Sequence, residues 1–175
     1  EIDRKDIREG DTVVIQRAGD VIPEVVKVIK ELRDPDSHPF RIPDVCPVCE
    51  SQAVRLAGQA AIRCINSSCL ARIKETLKHF ASRNAMDIDG LGSKIIDQLV
   101  DKGLVKSPAD IYSLNFGNLL SLDRMAEKSA SNLLLAIEKS KKPTVQKFLY
   151  SLGIRLVGEH VAKLLVSAFG NIGEL

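Results

Sequence analysis

Four cysteines in two short pairs constrain this chain more than any other feature. Two residues separate Cys46 from Cys49 and four separate Cys64 from Cys69, and no other cysteine occurs among the 175 residues. Two thiol pairs brought together by one hairpin supply the four thiolates of a closed structural zinc site, with no open position for catalysis. Two disulfides or four inert buried thiols are the alternatives, since four cysteines allow three pairings.

The segment around the cysteines has too few apolar side chains to form a core by itself. Pro47 and the run Asn66-Ser67-Ser68 predict tight turns inside the two thiol pairs. We therefore expect a bound metal to supply most of the folding free energy of this segment, and a chelator to loosen it.

Composition limits the classes of function. The chain has 45% hydrophobic residues and a net charge of only +2, so polyanion contacts must come from locally placed donors. Aromatic residues make up 4% and tryptophan is absent, which disfavours stacking on single-stranded bases. No long apolar run or signal peptide is found, so we expect a soluble intracellular protein without a membrane partner. The ends, Glu1 and Leu175, suggest a fragment of a longer protein.

The first part of the chain is predicted to be β. Two β-branched runs, over residues 12–16 and 21–29, flank a Gly19-Asp20 turn, and Pro23 marks an edge, bulge or bend in the second. Two strands do not stand alone in water, so we interpret them as the end of a larger barrel followed by a linker over residues 33–39. Arg17 beside the turn either contacts a phosphate or is simply solvated.

Helical periodicity begins after the last cysteine. A helix is predicted from about Ala71 to Ser82, and a second apolar-faced helix follows Gly90-Leu91-Gly92. Glycines between two helices permit a tight turn that leaves backbone N–H groups uncovered at the next helix N-terminus, where a phosphate binds well. The same tripeptide also serves as an ordinary end and start of helices.

The pattern of a helix, a small-residue turn and a second apolar-faced helix recurs over residues 122–137 and 152–165. A possible fourth copy begins near residue 169. The second turn has Arg124 and Ala126 where the first has Gly90 and Gly92, and the third keeps only Gly158 of the pair. We therefore expect the second turn to be the weakest phosphate contact.

Two functions fit such repeats: a helical module that binds protein, and a backbone-binding surface for duplex DNA. Basic residues near the turns favour the second, with contacts that ignore sequence and weaken with salt. The histidines 38, 79 and 160 are not needed as ligands, and we predict no catalytic residue in this chain. The basic residues are Lys94, Lys128, Lys139, Lys141, Lys142 and Lys147.

Several motifs in one order closely resemble bacterial NAD-dependent DNA ligases along essentially the whole chain. The segments that carry the resemblance are Arg17-Ala18-Gly19-Asp20-Val21-Ile22-Pro23, the four cysteines, His79-Phe80-Ala81-Ser82-Arg83, Ala85-Met86-Asp87-Ile88-Asp89-Gly90-Leu91-Gly92, Glu127-Lys128-Ser129-Ala130 and Leu152-Gly153-Ile154-Arg155. Leu70 and Arg72 depart from the family pattern, which leaves the start of the next helix open.

The resemblance implies a multi-module α+β chain. Residues 1-39 would be the last part of an OB-fold domain with a linker, 40-70 a four-cysteine zinc finger, and 71-175 an all-α domain with about three of four helix-hairpin-helix motifs. The zinc finger would connect the other two modules. Arg17 and Gly19 would belong to an OB surface that meets nicked duplex and the adenylation domain, and the hairpins would grip the minor groove. The hairpin residues expected at DNA are Gly90, Gly92, Lys94, Lys128 and Gly158.

The family seals nicks through a lysyl-adenylate made from NAD, with Mg²⁺ assisting. Its nucleophile lies in a Lys-x-Asp-Gly motif of an upstream domain, whereas Asp87-Ile88-Asp89-Gly90 here has Asp in place of that Lys. The resemblance therefore implies a DNA-clamping segment, inactive alone, of a cytoplasmic, nucleoid-associated bacterial ligase of replication and repair. NAD and Mg²⁺ would be bound by absent domains. The alternative is a zinc-containing module that recruits proteins to a repair complex.

Overall fold

A computed structural model describes residues 1–19 and 22–174. The chain forms two compact units, Glu1–Val45 and Cys46–Leu175. Of the predicted Gly-Asp turn, Asp20 and the following Val21 lie outside the described residues.

The first unit is built around a two-stranded antiparallel sheet. A short helix, α1 (Ile2–Lys5), precedes strands β1 (Val13–Ala18) and β2 (Ile22–Val28). The register shifts between Val14 and Ile15, which marks a bulge, while Pro23 lies opposite Arg17 in regular pairing. The two predicted strands are confirmed, and Pro23 is tolerated because both strands of a two-stranded sheet are edges.

Arg33 ties the end of this unit back to its beginning. Its Nε and Nη2 atoms donate to the two carboxylate oxygens of Asp11, each at 2.8 Å, and its Nη1 donates to Asp6 at 2.6 Å. The Asp11 side chain is only 1% exposed. The sequence predicts a linker that begins at Arg33, but this bidentate pair makes Arg33 part of the folded unit.

The second unit begins with a small hairpin and continues as helices. Strands β3 (Ala53–Arg55) and β4 (Ile62–Cys64) pair in antiparallel fashion, with Ala53 opposite Cys64. The helices that follow are α2 (Leu70–Ala81), α3 (Ser93–Asp101), α4 (Pro108–Ile111), α5 (Phe116–Leu120), α6 (Glu127–Ser140), α7 (Val145–Ser151) and α8 (Glu159–Phe169), with a 3-10 turn over Ile172–Glu174.

The core of the second unit lies between α2, α3, α4, α5 and α6. Its most buried large side chains are each at most 2% exposed, and burying one leucine contributes about 1.5–3 kcal/mol. Helical spacing accounts for those on α2, α3 and α6, where buried positions recur three and four residues apart, while α4 and α5 each bury one side chain. These side chains are Leu77, Ile96, Leu99, Ile111, Leu119 and Leu133.

Two details differ from the sequence analysis. Helix α2 begins at Leu70, directly after Cys69, rather than at Ala71. On α8 only Ala162 of the predicted apolar face is buried, while Leu164 is 55% exposed. The reason is that α8 packs mainly against α7, so much of its apolar face meets no other described helix.

Candidate metal centre and nucleic-acid interface

The hairpin β3–β4 and the start of α2 bring the four cysteine sulfurs into one cluster. All four Sγ atoms lie within 4.8 Å of one another, with Cys46 and Cys69 at 3.9 Å and Cys49 and Cys64 at 3.5 Å. Four sulfurs at about 2.3 Å from a tetrahedral zinc ion are about 3.8 Å apart. The observed cluster therefore has the size of a four-thiolate zinc site.

Tight turns hold each thiol pair. In the first, the Glu50 N–H donates to the Cys46 carbonyl at 2.9 Å, and Glu50 adopts a φ of 55°. In the second, Asn66 Oδ1 accepts from the Ser68 N–H at 2.9 Å. Helix α2 then starts at once, because the Ile73 N–H donates to the Cys69 carbonyl at 2.9 Å. The predicted turn residues thus curl the backbone around the sulfurs.

The surroundings of the thiols affect their ionisation in opposite directions. Hydrogen bonding from Ser51 lowers the pKa of the Cys49 thiol to about 6, whereas burial raises the pKa of Cys64 to about 11. Four thiolates packed this closely repel one another unless a cation lies between them. Metal binding replaces the protons and removes that repulsion.

A structural zinc ion fits the cluster better than either alternative. The four cysteines are free, and their sulfur separations far exceed the disulfide length of about 2.05 Å. Val48 and Ile65, inside the two turns, are 54% and 55% exposed, so the segment has little apolar core of its own. Its stability must come from a bound ion, and all-sulfur tetrahedral coordination is typical of structural zinc.

The first two inter-helix turns share one backbone geometry. Leu91 donates its N–H to Ile88 at 3.2 Å, and Met125 donates to Leu122 at 3.3 Å. The residue before each donor is left-handed: Gly90 has a φ of 81° and Arg124 a φ of 61°. The turn before α6 therefore has the first turn's shape without its glycines.

The third turn has the same arrangement. Its Val157 N–H donates to Ile154 at 3.0 Å, and the preceding Leu156 has a φ of 66°. Leu156 thus takes the left-handed position that Gly90 holds in the first turn. The predicted threefold repeat is a repeat of backbone conformation, which the side chains obscure.

The helices that leave these turns have no side-chain cap. Gly92, Ala126 and Gly158 occupy the N-cap positions of α3, α6 and α8, and none offers a side-chain acceptor. By contrast, Asn115 caps α5 and Thr144 caps α7 through side-chain oxygens. The first N–H groups of a helix have no intrahelical partner, so the helices that follow the three turns offer uncovered donors.

Two of the predicted basic residues lie directly beside these turns. Lys94 and Lys128 are the second residues of α3 and α6, both exposed, and neither forms an ion pair within residues 1–19 and 22–174. His160 holds the corresponding place on α8. Lys139, Lys141 and Lys142 lie at the other end of α6, so the structure does not bring all the predicted lysines to the turns.

A cleft of about 360 Å³ separates the first two turns. Its lining includes Asp89 and Gly90 of the first turn and Arg124 and Met125 of the second. The second turn is fixed against α3, because the Asp123 N–H donates to Gln98 Oε1 at 2.7 Å. Both turns therefore open toward one shared space.

Lys147 has a different surrounding from that of Lys94 and Lys128. Its Nζ lies 3.3 Å from Asp87 Oδ2, and both residues line a polar cavity of about 430 Å³. The pairing leaves less of its charge available to an outside anion.

Arg17 and Gly19 lie in the first unit. Arg17 is exposed near the end of β1, and Gly19 follows with a φ of 61°. The left-handed φ explains why glycine suits this position.

The sequence does not place Arg124 among the expected DNA contacts. In the aligned repeats it stands where the first turn has a glycine, which predicts a degenerate turn. The structure shows an exposed guanidinium beside the shared cleft instead. A free arginine at that aligned position was the available signal.

Comparison with known families matches most of the chain. Residues 1–37 match the NAD-dependent DNA ligase OB-fold domain and residues 45–71 the NAD-dependent DNA ligase C4 zinc finger domain. Residues 82–139 match a SAM-like helix-hairpin-helix tandem, and residues 147–175 a helix-hairpin-helix motif.

Curated relatives agree with these matches. The whole chain is 57% identical over 175 residues to a DNA ligase of Syntrophus aciditrophicus and 55% identical to one of Geotalea uraniireducens. A DNA ligase of Methylococcus capsulatus is 54% identical over 176 residues. The chain spans 26% of the length of each of these relatives.

None of the helices in the described part of the chain combines the length and apolar composition that a membrane span requires.

Proposed function

We propose that this chain is the DNA-clamping portion of an NAD-dependent DNA ligase, because residues 1–37 and 45–71 match the OB-fold and C4 zinc finger domains of those ligases and the rest of the chain matches helix-hairpin-helix models. The parent enzyme would seal single-strand nicks in duplex DNA during replication and repair, in the bacterial cytoplasm at the nucleoid. The observation that carries the proposal is the repeat of three uncapped hairpin turns of the same conformation.

The proposed domains are residues 1-39 for the OB portion and linker, 40-70 for the zinc finger and 71-175 for the hairpins. Cys46, Cys49, Cys64 and Cys69 would each supply one thiolate to a structural zinc ion. The ion would hold the finger folded, and four sulfur ligands leave it no open position for chemistry. Support comes from the mutual closeness of the sulfurs.

DNA contact would come from two places. In the second unit, the uncovered amides after Gly92 and Gly158, the close approach allowed by Gly90, and the charges of Lys94 and Lys128 suit phosphates of the sugar-phosphate backbone. In the first unit, Arg17 and Gly19 would meet the same nicked duplex and the adenylation domain of the parent chain. None of these contacts reads base edges, so binding would be independent of sequence.

The chemical steps would take place on other parts of the parent. NAD and Mg²⁺ would bind there, and the sequence of this chain contains no Lys-x-Asp-Gly motif whose lysine could accept AMP. The 175-residue chain would therefore bind nicked DNA without sealing it.

The proposal is tested by measuring the binding of the zinc-loaded chain to labelled nicked duplexes of two unrelated sequences and to a single strand. We expect similar affinity for both duplexes and weaker binding of the single strand. Absence of duplex binding would contradict the proposal, as would a strong preference for one sequence.

A second candidate function rests on an apolar pocket of about 280 Å³ lined by Phe80, Met86, Tyr112, Pro143 and Phe148. Its size suits one large apolar side chain, as a protein-recruitment module of a repair complex would need. This function predicts a protein complex that survives nuclease treatment and forms without duplex binding.

A further inference from the structure

The second hairpin turn has Arg124 at a position whose backbone conformation favours glycine. Arg124 adopts a φ of 61°, a left-handed conformation that glycine reaches freely and that is strained for other residues. The turn hydrogen bond from Met125 to Leu122 depends only on the backbone. Glycine would therefore build this turn at lower cost, as Gly90 does in the first.

Within the described residues, the arginine side chain makes no ion pair that would explain it. Arg124 is exposed and forms no salt bridge with any carboxylate of residues 1–19 and 22–174. Acidic residues near it include Asp89, which lines the same cleft, and Asp123 and Glu127, which are close to it in the chain. The positive charge of the Arg124 guanidinium offsets these carboxylates, so the cleft does not repel an anion.

The position of Arg124 relates it to the first turn. Arg124 lines the same cleft of about 360 Å³ as Gly90 and Asp89. The hydrogen bond between the Asp123 N–H and Gln98 fixes this turn against the helix that leaves the first. A ligand that touches the first turn and extends across the cleft would therefore meet the guanidinium, which binds phosphate oxygens through two parallel hydrogen bonds.

We propose that Arg124 binds a backbone phosphate of the same duplex that the first turn contacts, and that the second turn is a DNA contact through this side chain. The inference rests on the proposed function, since it needs the duplex to lie against the turns. It replaces the expectation from sequence that the second turn is the weakest contact. Compared with the first turn, the second lacks both glycines but has the positive charge of Arg124.

The test compares Arg124→Gly with Arg124→Lys in the zinc-loaded 175-residue chain. Glycine removes the guanidinium and also the left-handed strain, so thermal stability should stay equal or rise while affinity for nicked duplex falls roughly tenfold. The slope of log affinity against log salt should become shallower by about 0.9, the value for one phosphate contact. Lysine keeps the charge and should keep the slope.

Lys106→Gln is the matched control. Lys106 is exposed beyond the C-terminal end of α3, a helix of nine residues and about 13 Å whose N-terminal end follows the first turn. Its loss removes the same charge and should leave the slope almost unchanged.

The possible failures are distinguishable. If the unsubstituted chain does not bind duplex, the proposed function and this inference both fall. If it binds and Arg124→Gly binds with the same affinity and slope, only the inference is overturned. A loss of stability in Arg124→Gly, with lysine equally weak in binding, would also overturn it, because that pattern belongs to a structural arginine.

Discussion

His79 on α2 and Tyr150 on α7 join the first helix-hairpin-helix motif to the third. The imidazole Nε2 lies 2.9 Å from the Tyr150 carbonyl oxygen, and the two rings meet edge to face with centroids 4.8 Å apart. Residues 71 positions apart in the chain thereby fix the direction in which α7 leaves the bundle. This contact helps to set the relative placement of the first and third turns.

Gly153 lies beside this contact in a left-handed conformation that favours glycine. It has a φ of 63°, and a Cβ added there would lie 3.4 Å from His79 Cδ2. We expect Gly153→Ala to destabilise the second unit by about 2 kcal/mol, of which about 1 is backbone strain. Gly103→Ala is the matched control, because Gly103 has a φ of 69° with no atom within 4 Å. Equal melting temperatures for the two variants would show that contact between the added Cβ and His79 does not add to the destabilisation.

Loss of one cysteine ligand, and with it of zinc, tests the metal centre. Cys69→Ser should lower zinc affinity by at least about 100-fold and loosen residues 45–71, since this segment has little other core. The helices α3 to α6 bury their own apolar side chains and should remain folded. Metal analysis and hydrogen exchange on the same sample check both statements. Full protection of the finger without zinc would contradict the assignment.

The ion pair between Arg33 and Asp11 predicts a pH dependence of the first unit. Arg33 is the main cause of the lowered pKa of the Asp11 carboxyl. A carboxyl with a lower pKa in the folded state contributes stability above its unfolded pKa, about 3.9, and this stability is lost as pH falls through the folded value. Arg33→Gln should therefore destabilise the unit at pH 7, by an amount that shrinks below about pH 4.

A urea titration followed through the backbone amide resonances of β1 and β2 measures this effect. Arg4→Gln is its control, because Arg4 and its partner Glu1 are 67% and 70% exposed and such pairs contribute little. If Arg33→Gln and Arg4→Gln behave alike at pH 7, the pair with Asp11 does not stabilise the unit.

Gly158→Asp separates folding from DNA binding at the third turn. Gly158 has a φ of −78° and no atom within 4 Å of an added Cβ, and Asp is a favoured N-cap residue. The variant should fold as well as the parent, yet bind duplex about tenfold more weakly, because a carboxylate occupies the place of a phosphate. Gly158→Asn caps α8 without the charge and should bind more tightly than Gly158→Asp. Equal binding by the two would exclude a phosphate there.

The sequence predicted the parts of this fold that depend on local pattern. Cysteine spacing predicted the sulfur cluster, and helical periodicity predicted the buried face of α2, where Leu77 and Phe80 lie in the core. Both signals are short-range, so a single sequence contains them completely.

Pairings between distant residues were missed. The sequence predicts a linker at Arg33 because nothing near it in sequence reveals its partner Asp11, 22 residues away. The second turn was judged by its lost glycines, although Arg124 adopts the left-handed conformation without one. Tertiary packing can impose a backbone conformation that the local residue disfavours, and composition does not report that.

The salt dependence of duplex binding tests the central claim most directly. That claim is that the uncapped hairpin turns and the lysines beside them contact DNA phosphates. Affinity of the zinc-loaded chain for a nicked duplex, measured from about 50 to 200 mM salt, should fall along a straight log–log line whose slope corresponds to several phosphates, at about 0.9 each. An affinity that does not change with salt, or no binding at the lowest concentration, would contradict it.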